Sequence, residues 1–285
     1  MEYTEKKAYL LGLCAIIIWG TNYFVVQKGV QVAHPFVLTL LRLSMALPLM
    51  LFFRPKHSIL KMLLATFIWN LGCFNLIALA LSYGIAASAA AFLQQSNSLF
   101  LLLLSCLLLK EPLTRNKVFH IGVALIGIII FFQPTLFSLE INIGGLFILL
   151  SAMTWAVGIL LLKRFGIDGS LSTVIWMAGL AALLQAPLTF IIVPSQYLHL
   201  NMEAIFYALL SFLLSSIIAN ILWLKALSYT RNESLSQLIL FMPVVVLIGD
   251  IFYVGATLHW YELIGGILII GAGLSKFASL NKSKV

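Results

Sequence analysis

Ala80-Leu81-Ser82-Tyr83 returns as Ala226-Leu227-Ser228-Tyr229, 226 − 80 = 146 residues further on in a chain of 285. Four residues match by chance often enough that context has to decide. Here each copy closes a long apolar segment and precedes another, and about half the chain separates them. Self-similarity at that period points to a duplicated unit. The flanking apolar runs make it a duplicated membrane unit, and if each unit holds an odd number of spans, the second copy is inverted relative to the first.

Composition supports a polytopic membrane protein. The chain is 62% hydrophobic and 9% charged, with a mean hydropathy of +1.09. A soluble globular domain is roughly 45–50% apolar and about 25% charged. A spanning helix takes about 20 mostly apolar residues, and ten segments qualify: 8–27, 36–53, 62–82, 86–109, 118–133, 143–162, 171–193, 205–226, 233–254 and 260–278. They leave no stretch long enough for a soluble domain. A β-barrel would show alternating segments of about ten residues instead of continuous apolar runs. The first segment runs into Trp19-Gly20-Thr21-Asn22-Tyr23 and Lys28 without a small-residue cleavage site, so it reads as a retained span. The fold class expected is all-α integral membrane, with ten transmembrane helices.

The net charge of +8 is a topology signal and not a nucleic-acid footprint. With the N-terminus in the cytoplasm, threading ten spans puts fifteen of the seventeen Lys and Arg on the cytoplasmic side, from Lys6 and Lys7 through Lys163 and Arg164 to Lys284. Lys28 falls outside, and Arg42 lies within a span. The positive-inside rule then sets both termini in the cytoplasm. Halves of five spans each, 1–138 and 139–285, follow from a short external linker between Gln133-Pro134 and Gly144-Gly145. Five is odd, so the copies are inverted. Ser98 with Pro243 and Lys110 with Gly255 each lie 145 residues apart, one residue off the tetrapeptide register.

The chain resembles the EamA-type transporters of the drug/metabolite transporter superfamily over nearly its whole length. The resemblance rests on Trp19-Gly20 in the first span, Leu41-Arg42 in the second, Ala80 to Tyr83 closing the third, Glu111-Pro112-Leu113-Thr114 after the fourth and Ile121 to Gly127 in the fifth. Trp155, Ala226 to Tyr229 and Pro243 carry it in the second half. Ser98 stands where the family has proline, His120 where it has glycine, and Ala256 where the second repeat would carry an acidic residue. The resemblance implies two inverted five-helix repeats around a central cavity bounded by the first, third, fourth, sixth, eighth and ninth spans.

Unsatisfied polar groups cost several kcal/mol in hydrocarbon, so polar side chains within spans face a partner or a cavity. Trp19, Asn22 and Tyr23 share one helical face, as do Gln94, Asn97 and Ser98, and Ser216, Asn220 and Trp223. Asn75, Trp155, Gln237 and Phe241 complete the expected substrate-binding set: Trp19, Asn22, Tyr23, Asn75, Gln94, Asn97, Trp155, Asn220, Trp223, Gln237 and Phe241. For each, an interhelical bond that only holds the bundle together is the competing reading. Trp69 and Trp260, near span ends, read as interfacial anchors. Arg42 and Asp250 are the ionisable groups well inside spans, at similar depth in the outer leaflet. They are expected near the outer mouth, pairing when it closes, with Asp250 also a candidate for proton coupling. Lipid-headgroup contact for Arg42 and external water for Asp250 are the bland alternatives. Pro48, Pro187 and Pro243 should kink their spans, and Pro243 is the hinge candidate. Gly122 and Gly127 in the fifth span, with Gly265, Gly266, Gly271 and Gly273 in the tenth, suit close helix packing. They serve either the chain's own interior or a homodimer through the fifth and tenth helices, the chain being otherwise a monomer.

No phosphate loop, metal-ligand spacing or nucleophile motif is present, so neither cofactor nor metal is expected and the chain does not read as an enzyme. The expected partners are a small-molecule substrate and the lipid bilayer. The function expected is secondary active transport by alternating access across a bacterial inner membrane. The cargo is an amino acid or a related zwitterionic or neutral solute, and the resemblance favours export. An importer of an amino acid, nucleoside or vitamin, and a membrane enzyme or scaffold, stay open as alternatives.

Overall fold

The computed structural model describes residues 2–108, 115–132, 142–198, 201–229, 238–255 and 259–282, and these are helical with short connections; no strand occurs among them. In chain order the α-helices are α1 (Glu2–Val32), α2 (Pro35–Ser44), α3 (Leu47–Met50), α4 (Ile59–Thr66), α5 (Phe74–Ser82), α6 (Ala87–Gln94), α7 (Asn97–Leu108), α8 (Arg115–Phe131), α9 (Ile143–Phe165), α10 (Leu171–Ile192), α11 (Met202–Ser211), α12 (Ala219–Tyr229), α13 (Met242–Gly249) and α14 (Trp260–Lys282). π-Helical segments join α4 to α5 (Phe67–Cys73), join α11 to α12 (Phe212–Ile218) and extend α13 (Asp250–Val254). Six of the resulting helical runs are long and apolar enough to cross a membrane: Lys6–Val32, Ile59–Ser82, Ala87–Leu107, Ile143–Phe165, Leu171–Ile192 and Met202–Tyr229. Four shorter apolar runs accompany them: Pro35–Met50, Val118–Phe131, Leu238–Phe252 and Trp260–Ala272.

Helix starts follow local capping chemistry. His34 Nδ1 accepts from Phe36 N at the start of α2, Asn142 Oδ1 from Gly145 N at α9, and Asn201 Oδ1 from Glu203 N at α11; each satisfies one of a helix's four orphan amides. Gly166 closes α9 in the left-handed region (φ 64°), which glycine enters without a Cβ penalty.

The large apolar residues that remain exposed, Leu51, Phe52, Leu64, Phe190, Ile191 and Phe206 among them, form the surface that lipid would cover. The interior around α6 is rich in small residues. All eight residues of α6, Ala-Ser-Ala-Ala-Ala-Phe-Leu-Gln, are buried, and their size lets α1, α5, α9, α13 and α14 pack around this one helix. α1 lies along α11 and α12, α9 lies along α4 and α5, α2 lies against α10, and α8 lies along α14. The last seam is backbone to backbone: a Cβ on Gly127 would come within 2.7 Å of Gly265 O, and one on Gly265 within 2.6 Å of Gly127 O. A Cβ on Gly266 would meet Phe92 Cδ1 at 2.3 Å. These three glycines are consumed within the chain, and the expected dimer face through the fifth and tenth helices finds no support in them.

The prolines act differently from expectation. Pro48 and Pro243 sit in the first turn of α3 and α13, each just after a break, where a missing N–H costs nothing. They start helices and do not kink them. Pro187 stays inside an uninterrupted α10.

Candidate functional site

One helical run is interrupted at mid-length beside a cavity, and a 3₁₀ turn leads into another beside the same cavity. Between α6 and α7, Gln95 N bonds Phe92 O (3.1 Å) and Ser96 N bonds Leu93 O (3.0 Å), so the ladder tightens to i→i−3 and turns Gln94, Gln95 and Asn97 inward. Before α13, a 3₁₀ turn over Leu238–Phe241 does the same for Ile239 and Met242. The π-helical segments add local widening, a feature that recurs at functional sites. In Phe212–Ile218, Ser215 O is released from the ladder and accepts from both Trp19 Nε1 (3.0 Å) and Asn220 Nδ2 (2.9 Å). In Phe67–Cys73, Asn70 Nδ2 donates to Thr66 Oγ1 at 2.8 Å, and Thr66 Oγ1 donates to Met177 O at 2.8 Å.

The cavity so formed has a volume of about 250 Å³, below the range of drug-sized pockets and suited to one small metabolite. Of the substrate-site residues expected from sequence, Trp19, Asn22, Tyr23, Gln94, Asn97, Trp155 and Asn220 line it. Trp223 does not; its ring backs Trp19 at 5.6 Å between centroids. Asn75 is turned into the bundle, where it and Gln185 donate to each other's carbonyl oxygens at 2.8 and 3.1 Å. Phe241 is half-exposed away from the cavity, and Gln237 lies outside the described residues, as does Glu111. Trp69 is a correction in the other direction: it lines the cavity, its ring meeting Trp155 edge-on at 5.4 Å and 80°. A span-end position alone could not separate it from Trp260, which is exposed. The sequence reading also missed Thr39, Phe74, Ser211 and Ser215 and the contribution of α10 through Val174, Met177 and Ala178. The serines could have been found, since Ser211 and Ser215 share the i, i+4 spacing already noted for Ser216 and Asn220.

The two intramembrane charges do not pair. Arg42, 8% exposed, lines the cavity. Its Nη2 donates to Ser215 Oγ at 2.8 Å and its guanidinium lies 4.3 Å over the Phe74 ring. Asp250 is 1% exposed and lies away from the cavity, its Oδ2 accepting from Ser88 N at 2.6 Å. The mouth pair is therefore not formed, and neither headgroup contact for Arg42 nor external water for Asp250 describes the observed geometry. Pro243 is buried beside the break that opens α13.

Several buried polar atoms on the cavity wall have no hydrogen-bond partner among the described residues: Asn22 Oδ1, Arg42 Nε, Trp69 Nε1, Gln94 Oε1 and Ser211 Oγ. Buried groups are normally satisfied, so this wall is set up for a polar ligand. Among its lining residues there is no carboxylate and one formal charge, Arg42.

A bundle of long apolar helices closing over such a cavity is a multi-pass membrane protein with an internal small-molecule site. Which kind follows from its relatives. The EamA-like transporter family profile matches residues 6–133 and 142–274, and the chain belongs to that family, within the drug/metabolite transporter superfamily; it is a membrane transporter and not an enzyme. The chain is 27% identical over 282 residues to the "Probable amino-acid metabolite efflux pump" of Salmonella typhimurium, covering 95% of this chain and 94% of that one. It is 23% identical to "Protein PecM" of Dickeya dadantii, covering 90% and 87%. A solved crystal structure matches with a TM-score of 0.62 at 19% identity over 98% of this chain and 99% of its own, which shows the shared fold.

Proposed function

We propose that this chain is a secondary active transporter that exports an amino acid or related zwitterionic or neutral metabolite across the bacterial inner membrane. It works by alternating access between two inverted five-helix repeats, 1–138 and 139–285, with both termini cytoplasmic. The observation that carries the reading is how the halves interlock around the cavity. α1 of the first half packs on α11 and α12 of the second, while α9 of the second packs on α4 and α5 of the first. Each crossing brings a tryptophan pair together, Trp19 with Trp223 and Trp155 with Trp69. A site shared by two pseudo-equivalent halves suits rocking of one half against the other.

Three further features support the duplication. The π-helical segments begin at Phe67 and Phe212, 212 − 67 = 145 residues apart. Helices α7 and α13 begin, each after a tightened turn, at Asn97 and Met242, again 242 − 97 = 145. The six long and four shorter apolar helical runs among the described residues match the ten spans that sort fifteen of seventeen Lys and Arg to one side. Export and the amino-acid cargo rest on the name of the Salmonella typhimurium relative and on the aromatic cavity wall, whose one formal charge is Arg42.

The test is flux. Purified protein in proteoliposomes should move at least one member of a panel of amino acids and related metabolites faster than empty vesicles, with a rate that changes when an imposed pH gradient is collapsed. No flux for any member, with the protein folded and inserted, removes the proposal. Flux unchanged on collapse removes only the proton coupling.

A further inference from the structure

Arg42 is a buried cation whose wall, among the described residues, offers no counter-ion. Its surroundings fix its position without neutralising it. Ser215 Oγ accepts from Nη2 and donates its own O–H to Ser211 O, both at 2.8 Å, and Phe74 supports the guanidinium face at 4.3 Å. Both contacts are to uncharged groups, and Nε has no partner among the described residues. A buried charge is tolerated when it is paired and hydrogen-bonded. A guanidinium held by neutral groups beside a cavity is therefore waiting for an anion that arrives with the ligand, and its planar fork matches a carboxylate in shape. Trp69 Nε1, also unpartnered, is a second donor on the same wall.

The same lining also carries acceptors. Asn22 Oδ1 and Gln94 Oε1 are buried acceptors without donors among the described residues. Gln94 directs its Nε2 toward Cys73 Sγ at 4.0 Å, which leaves its carbonyl oxygen for the cavity. With aromatic faces nearby, such oxygens receive an ammonium group by hydrogen bonds and cation–π attraction. One cation, two free carbonyl oxygens and no wall carboxylate match a ligand bearing one carboxylate and one ammonium, and disfavour polyanions.

Resting on the transporter reading above, we infer that Arg42 receives the substrate's carboxylate and that Asn22 and Gln94 receive its ammonium group. The site thus holds a zwitterionic α-amino acid with its side chain against Trp155 and the apolar lining. Arg42 is then a binding and selectivity residue rather than a gate.

The test compares acid with amide. Proteoliposomes carry the wild type, Arg42→Lys or Arg42→Gln, and flux is measured for leucine, threonine and phenylalanine and for their carboxamides. The ratio of acid to amide flux is internal to each protein, so a change in folded amount leaves it unaltered. The wild type should favour the acids, and Arg42→Gln should lower the ratio about tenfold or more, the scale of one charge-assisted hydrogen bond. Arg42→Lys should fall between, keeping the charge but losing the fork. If Arg42→Gln moves neither ligand, acid flux surviving in Arg42→Lys supports the assignment, and equal loss in both variants marks a structural arginine and overturns it. An unchanged ratio in Arg42→Gln also overturns it while leaving transport intact. No flux of any amino acid by a wild type that moves another metabolite of the panel overturns this inference and leaves the transporter reading; no flux of any panel member removes the proposed function, and this inference with it.

Discussion

Asp250 caps a helix to which it is not joined: its carboxylate Oδ2 accepts the backbone N–H of Ser88 at 2.6 Å, across 162 residues of sequence. α6 begins at Ala87 with Ala86 before it, so no local side chain caps it, and its N-terminal amides are buried. The positive end of a helix favours an anion, and the π-helical segment that begins at Asp250 delivers one from the other half of the chain. Asp250→Ala should leave the Ser88 amide unsatisfied and cost about 1–3 kcal/mol. Asp250→Asn retains an acceptor oxygen and should lose clearly less. Thermal unfolding of the purified variants checks the order. Equal loss in both would mean that the charge, and not the hydrogen bond, is what α6 requires.

At the other end of the molecule, α10 is tied to the loop after α3. Ser172 Oγ donates to Arg54 O (2.5 Å), Trp176 Nε1 donates to Phe53 O (2.7 Å), and His57 Nε2 lies 3.2 Å from Asp168 Oδ1. Burial pushes the Asp168 carboxyl up, but hydrogen bonds from Thr173, Ser170 and His57 outweigh it and hold the group well below the usual carboxylate range. The folded state therefore binds the proton less readily than the unfolded state. The stabilisation is complete above the ordinary carboxylate pKa of about 4 and is lost as pH falls below it. Asp168→Asn should flatten the dependence of the unfolding midpoint on pH between about 5 and 3. Identical acid slopes in the two proteins would remove Asp168 from the account.

Much of this architecture was legible because membrane insertion leaves strong marks on sequence. Continuous apolar runs, sorted Lys and Arg, and the doubled Ala-Leu-Ser-Tyr led to a multi-pass helical bundle of a known family. Trp19, Asn22, Tyr23, Gln94, Asn97, Trp155 and Asn220 share one cavity because polar groups at helical spacing in an apolar span must turn away from lipid. What sequence could not distinguish was a cavity from a buried partner, since both satisfy the same requirement. Asn75 found Gln185, Asp250 found an amide, and Trp223 stacked behind Trp19. Trp69 and Trp260 look alike as span-end tryptophans, and only the crossing of α9 over the Phe67–Cys73 segment sets them apart. Proline marked only some of the helix breaks: Pro48 and Pro243 each follow one, Pro187 sits in an unbroken helix, and the turn at Gln95–Ser96 contains none.

The α8–α14 seam depends on the absence of side chains at two positions. With Gly127 and Gly265 facing each other's carbonyl oxygens at under 3 Å from any added Cβ, even alanine at either site must push two backbones apart. Gly127→Ala and Gly265→Ala should each destabilise by about 1–3 kcal/mol, the usual range for overpacking. Gly122→Ala, where an added Cβ meets nothing within 4 Å, should be nearly neutral or mildly stabilising through helix propensity. A scan of unfolding midpoints over the three variants measures the contrast, and similar shifts for Gly122 and Gly127 would contradict it.

Asn75 and Gln185 form a reciprocal amide pair, Nδ2 to Oε1 at 2.8 Å and Nε2 to Oδ1 at 3.1 Å, that also reaches Thr189 Oγ1 at 3.2 Å and Phe36 O at 3.3 Å. Its role is to join α5 to α10 and α2, away from the cavity. Asn75→Leu leaves Gln185 buried with unpaired groups and should cost about 1–3 kcal/mol, and Gln185→Leu should do the same to Asn75. Replacing both by leucine removes the stranded groups together, so the double variant should be more stable than the sum of the single losses implies, by an interaction energy of about 0.5–3 kcal/mol. Flux per folded protein should stay within about twofold of wild type in the double variant, because neither side chain borders the cavity. A double variant that folds well but no longer transports would return Asn75 to the substrate path.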